Sequence, residues 1–389
     1  MKFPIYLDYN ATTPVDPRVL EAMLPYFCAD FGNPSSESHV FGRQAKAAIE
    51  EARAGVARLI GASANEIVFT SGATESCNLA IKGVAAMYRG KGNHVVCSMI
   101  EHKAVIESCK RIERDGFEVT WLRPDQYGRI HPGQVDEAIT DRTILVSIMA
   151  ANNVVGTINP IGEIGRITKS RGVLFHCDAT QAAGKMPLDV EDTHVDLLSL
   201  SAHKFYGPKG VGALYVRGRS PRVRLACQMD GGGQEHGLRG GTLNVSGIVG
   251  LGATCGLCED IESEAKRQAA LRDRLELGLC EQLEDVKVNG HPGDRLPNTL
   301  NMSFASVDGD ALMMKLDEIA VSHASACASG SEDPHYVLNA MGAGEELARS
   351  SIRFSLGRYT TEEEIECAVE RIAEAVLELR QRKPSYCTV

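Results

Sequence analysis

Through the first two-thirds of the chain, short apolar runs alternate with segments whose apolar residues recur every three or four positions. Residues 43–60 place Ala45, Ala48, Ile49, Ala52, Val56 and Leu59 on one helical face. Nearly unbroken apolar runs at 66–70, 94–98, 117–122, 143–151, 172–177, 197–201 and 211–216 read as buried strands. Helical patterns at 104–114, 132–139 and 161–171 separate most of them, and this alternation predicts a largely parallel sheet with helices on both faces. The texture changes after about Val245. Two long helical patterns, at 248–263 and 264–283, precede strands near 286–288, 299–304 and 351–355. The last helix, 361–382, opens with Thr361 and Glu364 in capping-box spacing. The pattern predicts an α/β chain with a large domain over residues 15–260 and a smaller α+β domain built from 1–14 and 261–389. No internal repeat or low-complexity tract interrupts it.

Composition narrows the partners. The chain has 389 residues, 43% hydrophobic and 24% charged, which excludes wholesale disorder. Forty-one Lys+Arg against 51 Asp+Glu leave a net charge of −10, which argues against nucleic acid or an anionic membrane as the main partner. No apolar run is long enough to span a bilayer, and the N-terminus lacks the basic and apolar regions of a signal peptide. The expectation is a cytoplasmic protein. Most of the twelve cysteines lie in apolar stretches such as Val95-Val96-Cys97, as buried thiols of a reducing compartment do. Cys255 and Cys258 form a CxxC without a second ligand pair and lie in a helical pattern, so core packing is expected there and no metal site. Cys387 sits in a polar tail as a stray thiol.

Four segments carry candidate chemistry. In Ser201-Ala202-His203-Lys204 a lysine lies just beyond a buried strand, against a glycine-rich turn. Desolvation disfavours the ammonium and makes a nucleophilic amine suited to a Schiff base, although a solvated loop lysine has the same local sequence, and Lys209 is a nearby decoy. Asp178 ends a predicted strand, where α/β sheets bind ligands. It is placed either to keep a pyridinium nitrogen protonated or simply to cap a helix. Ser71-Gly72-Ala73-Thr74, between strand and helix, would let backbone N–H groups approach a phosphate. The densest of the 38 glycines run from Gly231 to Gly241, ahead of Thr242.

Together with Tyr6-Leu7-Asp8-Tyr9-Asn10-Ala11-Thr12-Thr13-Pro14, Phe31-Gly32-Asn33-Pro34-Ser35-Ser36, Glu101-His102-Lys103, Asn152-Asn153, Asp178-Ala179-Thr180-Gln181 and Ser351-Ile352-Arg353-Phe354-Ser355, these segments resemble the NifS/IscS cysteine desulfurases nearly end to end. The resemblance implies a fold-type I, aspartate-aminotransferase-like enzyme that uses pyridoxal 5'-phosphate. It implies Lys204 as the Schiff-base lysine, Asp178 at the pyridine nitrogen, Gln181 at the phenolic oxygen and His102 stacked on the ring. Ala73, Thr74, Ser201 and His203 would lie around the phosphate, joined by Thr242 from the partner of a homodimer. Asn153, also against the cofactor, and Arg353 would hold the carboxylate of L-cysteine. Cys327, in the small-residue loop Ser325-Ala326-Cys327-Ala328-Ser329-Gly330, resembles the mobile catalytic cysteine that takes the substrate sulfur as a persulfide and passes it to an acceptor or iron–sulfur scaffold protein.

The chain departs from the family pattern at Val154, usually Glu, at Ala324, usually Gly, and at His236, often Arg. Its C-terminal tail is also short. These departures bear on loop dynamics and the acceptor and remove no group the chemistry needs. The rival readings are another fold-type I enzyme, a selenocysteine lyase or an aminotransferase, and a catalytically silent assembly partner.

Overall fold

The computed structural model describes residues 3–258, 260–323 and 335–382. Its main sheet has seven strands: β1 (Ile67–Thr70), β2 (His94–Ser98), β3 (Glu118–Leu122), β4 (Thr143–Ser147), β5 (Leu174–Asp178), β6 (Leu197–Ser201) and β7 (Gly212–Val216). Their spatial order is β1-β7-β6-β5-β4-β2-β3. Every pairing from β3 across to β6 is parallel, and β7 runs antiparallel to both of its neighbours. The apolar runs are long and uninterrupted because helices cover both faces of this sheet. Successive side chains point to opposite sides. Ile67, Phe69, Val96, Val146, Phe175 and Leu198 enter one core, and Val68, Val95, Cys97, Leu145, Leu197 and Leu214 enter the other.

Helices α1 (Val40–Leu59), α2 (Ala73–Tyr88), α3 (Lys103–Arg114), α4 (Ile161–Arg171) and α5 (Val245–Gly256) flank the sheet. α1 and α5 cross so closely that a Cβ on Gly252 would lie 2.5 Å from the Cα of Ala52, so that crossing requires glycine.

A second, antiparallel sheet contains β8 (Val286–Asn289), β9 (Thr299–Phe304), β10 (Ser322–His323) and β11 (Ser351–Ser355) in the order β10-β11-β9-β8. Helices α6 (Ile261–Gln282) and α7 (Glu362–Arg382) contribute Leu271, Leu275, Ile365 and Ile372 to a separate core with Met302 and Phe354. Ile5 and Leu7 join that core, and Ile5–Tyr6 pairs in parallel with Ile319–Ala320. The capping box of α7 forms in both directions. Thr361 N–H donates to Glu364 Oε2 at 3.1 Å, and Glu364 N–H donates to Thr361 Oγ1 at 3.2 Å.

Two expected elements differ. The strand read over 143–151 is regular only to Ser147, although the Ile148 and Ala150 N–H groups still donate to the His176 and Asp178 carbonyls at 3.1 and 2.9 Å, and the chain turns away at Asn152. Asn152 Oδ1 there accepts from the N–H groups of Val154 and Val155, at 2.8 and 3.1 Å. The helical pattern read as continuous to 263 breaks after Gly256, and Asp260 caps α6 by accepting from Ser263 N–H at 3.2 Å. Cys255 is therefore buried at the end of α5, while Cys258 lies just past it, partly buried against the same core. Among the described residues no helix is long and apolar enough to cross a membrane, and no His/Cys/Asp/Glu cluster is arranged to hold a metal ion.

Candidate active site

The C-terminal ends of the parallel strands open onto one cavity of about 440 Å³. This is the crevice where open α/β sheets bind ligands. β1 leads through Ser71 and Gly72 into α2, β5 ends on Asp178, and β6 ends on Ser201 just before the single turn Ala202–Lys204. The chain beyond β2 brings in His102, the turn after β4 brings in Asn153, and Arg353 reaches across from β11 of the second sheet.

Gly72 has φ +145°, which L side chains rarely adopt. No side chain caps α2, so its first N–H groups, at Ala73 and Thr74 on the cavity wall, offer a positive helix end. Ser201 and His203 stand at the same wall. His203 Nδ1 lies 3.1 Å from Thr12 Oγ1. Burial, reinforced by the charges of Lys204, Lys209 and Lys185, pushes its pKa down to about 4, so the ring is neutral at neutral pH.

Asp178 is 4% exposed. Its Oδ1 accepts from the Thr180 N–H at 3.0 Å, and its Oδ2 lies 3.8 Å from Cys77 Sγ. His102 caps α3, with Nδ1 accepting from Ala104 N–H at 3.1 Å, which leaves the Nε2 side of the ring for the cavity. Lys204 Nζ donates to the carbonyls of Asn10 and Ala11 at 2.7 and 2.8 Å. Arg353 is 2% exposed, a buried wall residue and no surface ion pair. Its Nη2 meets Asp8 Oδ1 at 2.7 Å and Ser322 Oγ at 3.0 Å, and its Nη1 donates to the Asn153 carbonyl at 2.9 Å. Among the described residues, Arg353 Nε and Asn153 Oδ1 are buried polar atoms without a hydrogen-bond partner. That pairing suits a bound carboxylate or amine.

The donor set fits pyridoxal phosphate. The cavity is lined by an uncapped helix start with a hydroxyl and a neutral imidazole, by a buried carboxylate and by a lysine amine. Thr242 is the expected site residue that the fold leaves apart: it is exposed and does not line this cavity. Cys327 lies outside the described residues.

The aminotransferase class-V family profile matches residues 5–367. The chain belongs to the class-V aminotransferases, within the NifS/IscS cysteine desulfurases. It is 60% identical over 387 residues to a protein named cysteine desulfurase IscS from Anaeromyxobacter sp. (strain Fw109-5), covering 99% of this chain and 96% of that one. It is 54% identical over 389 residues to cysteine desulfurase IscS of Pseudomonas aeruginosa (strain UCBPP-PA14), with the same coverage. A solved NifS-like protein superposes with a TM-score of 0.90 at 40% identity, over 97% of this chain and all of that one. SspA in complex with cysteine superposes at 0.81 and 41% identity, over 92% of this chain and 100% of that one.

In this class-V aminotransferase, residues given no role from the sequence complete the site. Asn10 accepts from Lys204 through its carbonyl and from Asn298 Nδ2 (3.1 Å) through Oδ1, and its own Nδ2 donates to Thr299 Oγ1 at 2.9 Å. Lys185 donates to Gln181 Oε1 at 2.8 Å and to Asn10 Oδ1 at 3.2 Å. Glu101 is fully buried, and burial pushes its carboxyl well up, with the Asp178 charge adding to the shift. Asn10 and Glu101 lie in the segments that carry the family resemblance, and Lys185 is signalled by its four-residue spacing from Gln181.

Proposed function

We propose that the chain is a pyridoxal-phosphate-dependent L-cysteine desulfurase that makes alanine, carries a persulfide on Cys327 and donates its sulfur to an acceptor protein for iron–sulfur cluster assembly. The observation that carries this reading is the convergence of Lys204, Asp178 and Arg353 on one cavity at the strand ends. Full-length identity to proteins named cysteine desulfurase supports it.

Pyridoxal phosphate, when bound, supplies an electron sink for the charge left when the substrate's α-proton departs. Asp178, at the end of β5, would hold a proton on the ring nitrogen. The helix start at Ala73 and Thr74, with Ser201 and His203, would hold the phosphate. Asn153, Gln181 and His102 line the same cavity and would hold the cofactor there, Asn153 against it, Gln181 toward its phenolic oxygen and His102 toward its ring. Arg353, whose Nε is unpartnered among the described residues, would bind the substrate carboxylate with Asn153 and so fix which Cα–H faces Lys204. Lys204 Nζ takes the α-proton. The Cys327 thiolate attacks the substrate sulfur, the S–S bond forms as the substrate Cβ–S bond breaks, and alanine leaves after reprotonation.

The active protein is a homodimer in which the exposed Thr242 serves the partner's phosphate site. The large domain comprises residues 15–260, and the smaller one comprises 1–14 and 261–389. The protein works in the cytoplasm.

Purified protein incubated with pyridoxal phosphate and L-cysteine is expected to yield alanine and a persulfide that mass spectrometry maps to Cys327. Cys327→Ala should keep the visible cofactor band and lose the persulfide. Sulfur delivery by that variant at the wild-type rate, or keto acid in place of alanine, overturns the assignment.

A further inference from the structure

We propose that Lys185, which lies behind the cavity wall, is a positioning residue that fixes the polarity of the Gln181 amide, so that Gln181 presents an N–H and not its carbonyl oxygen to the cofactor. The inference rests on the cofactor site proposed above.

An ammonium can only donate, so the 2.8 Å contact from Lys185 Nζ identifies its partner on Gln181 as the oxygen. The amide nitrogen then points the other way, and one of its two hydrogens is used by the Asn10 carbonyl at 3.0 Å. Gln181 is 5% exposed and lines the cavity, so its second hydrogen is available there to an acceptor such as a phenolate oxygen. Turning the amide over would set its NH₂ against the Lys185 ammonium and its oxygen against the Asn10 carbonyl. Both contacts would then be repulsive, so the flipped state is closed.

Asn10 ties this pair to the chemistry. Its carbonyl accepts from both Gln181 and Lys204, and its side-chain oxygen accepts from Lys185. Lys185 does not itself line the cavity. Burial, together with the charges of Lys204 and Arg353, pushes its pKa down to about 7. An anionic oxygen on the other side of Gln181 would oppose that drop. The other charged or titratable groups on the surrounding elements are Asp8 beside Arg353, Asp178 at the end of β5, and His203.

The test uses the pyridoxal-phosphate-loaded protein and the pH midpoint of the visible band of its lysine-bound cofactor. In Lys185→Met the amide keeps only the Asn10 carbonyl to hold it, so the donor to the phenolate is less firmly fixed and the midpoint should rise by about one pH unit. Lys185→Arg, which keeps a cationic donor, should stay near the wild-type midpoint. In a Gln181→Ala background, Lys185→Met should add no further shift. An unchanged midpoint in Lys185→Met, or the same shift with and without Gln181, overturns the proposal. If Lys185→Met loads no cofactor, Lys185→Arg must restore both loading and midpoint, and failure to do so also overturns it. Wild-type protein that forms no visible lysine-bound band would instead defeat the cofactor reading itself.

Discussion

Glu235 lies in the glycine-rich loop before Thr242, and its carboxylate is 1% exposed. It receives Arg53 Nη2 at 2.7 Å and Nη1 at 2.9 Å, and the Phe69 N–H of β1 at 2.6 Å. Arg53 in turn donates to the Ile67 carbonyl at 2.7 Å and lies 4.7 Å from the centre of the Phe69 ring. This buried ion pair ties the loop to α1 and β1. Glu235→Gln keeps the shape and the acceptor for Phe69 but removes the charge, leaving a buried guanidinium. Its remaining acidic neighbour, Glu50, is 3.2 Å away and 55% exposed, so screening by solvent weakens its compensation. Breaking one side of a buried pair costs about 3–5 kcal/mol, and with Glu50 retained the lower figure, about 3 kcal/mol, applies. That is about a hundredfold in the folding equilibrium. Urea unfolding of the cofactor-free protein, followed by circular dichroism, reads it directly. The double variant Arg53→Met/Glu235→Met, which removes both charges, should cost less than the sum of the two single substitutions. A cost below about 1 kcal/mol for Glu235→Gln, or strict additivity in the double variant, would show that the pair does not hold the loop as described.

Two further outcomes follow from the buried groups. His176, fully buried with its ring nitrogens on Ser147 Oγ and Ser199 Oγ at 2.8 and 2.9 Å, has its pKa pushed down to about 4, by burial against the opposing Asp178 charge. Its folded pKa lies below the unfolded value, so its stabilisation is full above about pH 6.5 and is lost as pH falls toward 4, by about 3 kcal/mol. His176→Gln should flatten this limb of a urea-midpoint profile between pH 7 and 4, and a wild-type slope in the variant would rule the account out. Arg353→Lys should raise KM for L-cysteine about tenfold or more while the cofactor band is unchanged, because a lysine cannot hold Asp8, Ser322 and the Asn153 carbonyl and still offer the Nε donor. A wild-type KM would move the carboxylate elsewhere.

Strands β2, β6, β9 and β11 begin and end where the hydrophobic pattern alone places them, because a short apolar run flanked by turns leaves little choice of element. The cap of α7 was likewise legible, since Thr361 and Glu364 are three residues apart. Lys204 and Asp178, singled out at or just past strand ends, both line the cavity, although the strand-end position alone left a loop lysine and a helix cap open. The break between α5 and α6 was not, because helix-forming residues continue through it and only the capping geometry of Asp260 marks it. Local pattern thus determined the element types, the layered α/β plan and the strand ends that carry the site.

Tertiary structure alone decided which residues stand around Lys204. Asn10 lies 194 positions before it, Lys185 reaches Asn10 across 175, and Asp8 meets Arg353 across 345. Arg53 finds Glu235 across 182. A periodicity of two or 3.6 residues carries no information over such separations. These polar groups are specified by the requirement that a buried donor or acceptor be satisfied, and its partner is known only once the chain has closed on itself.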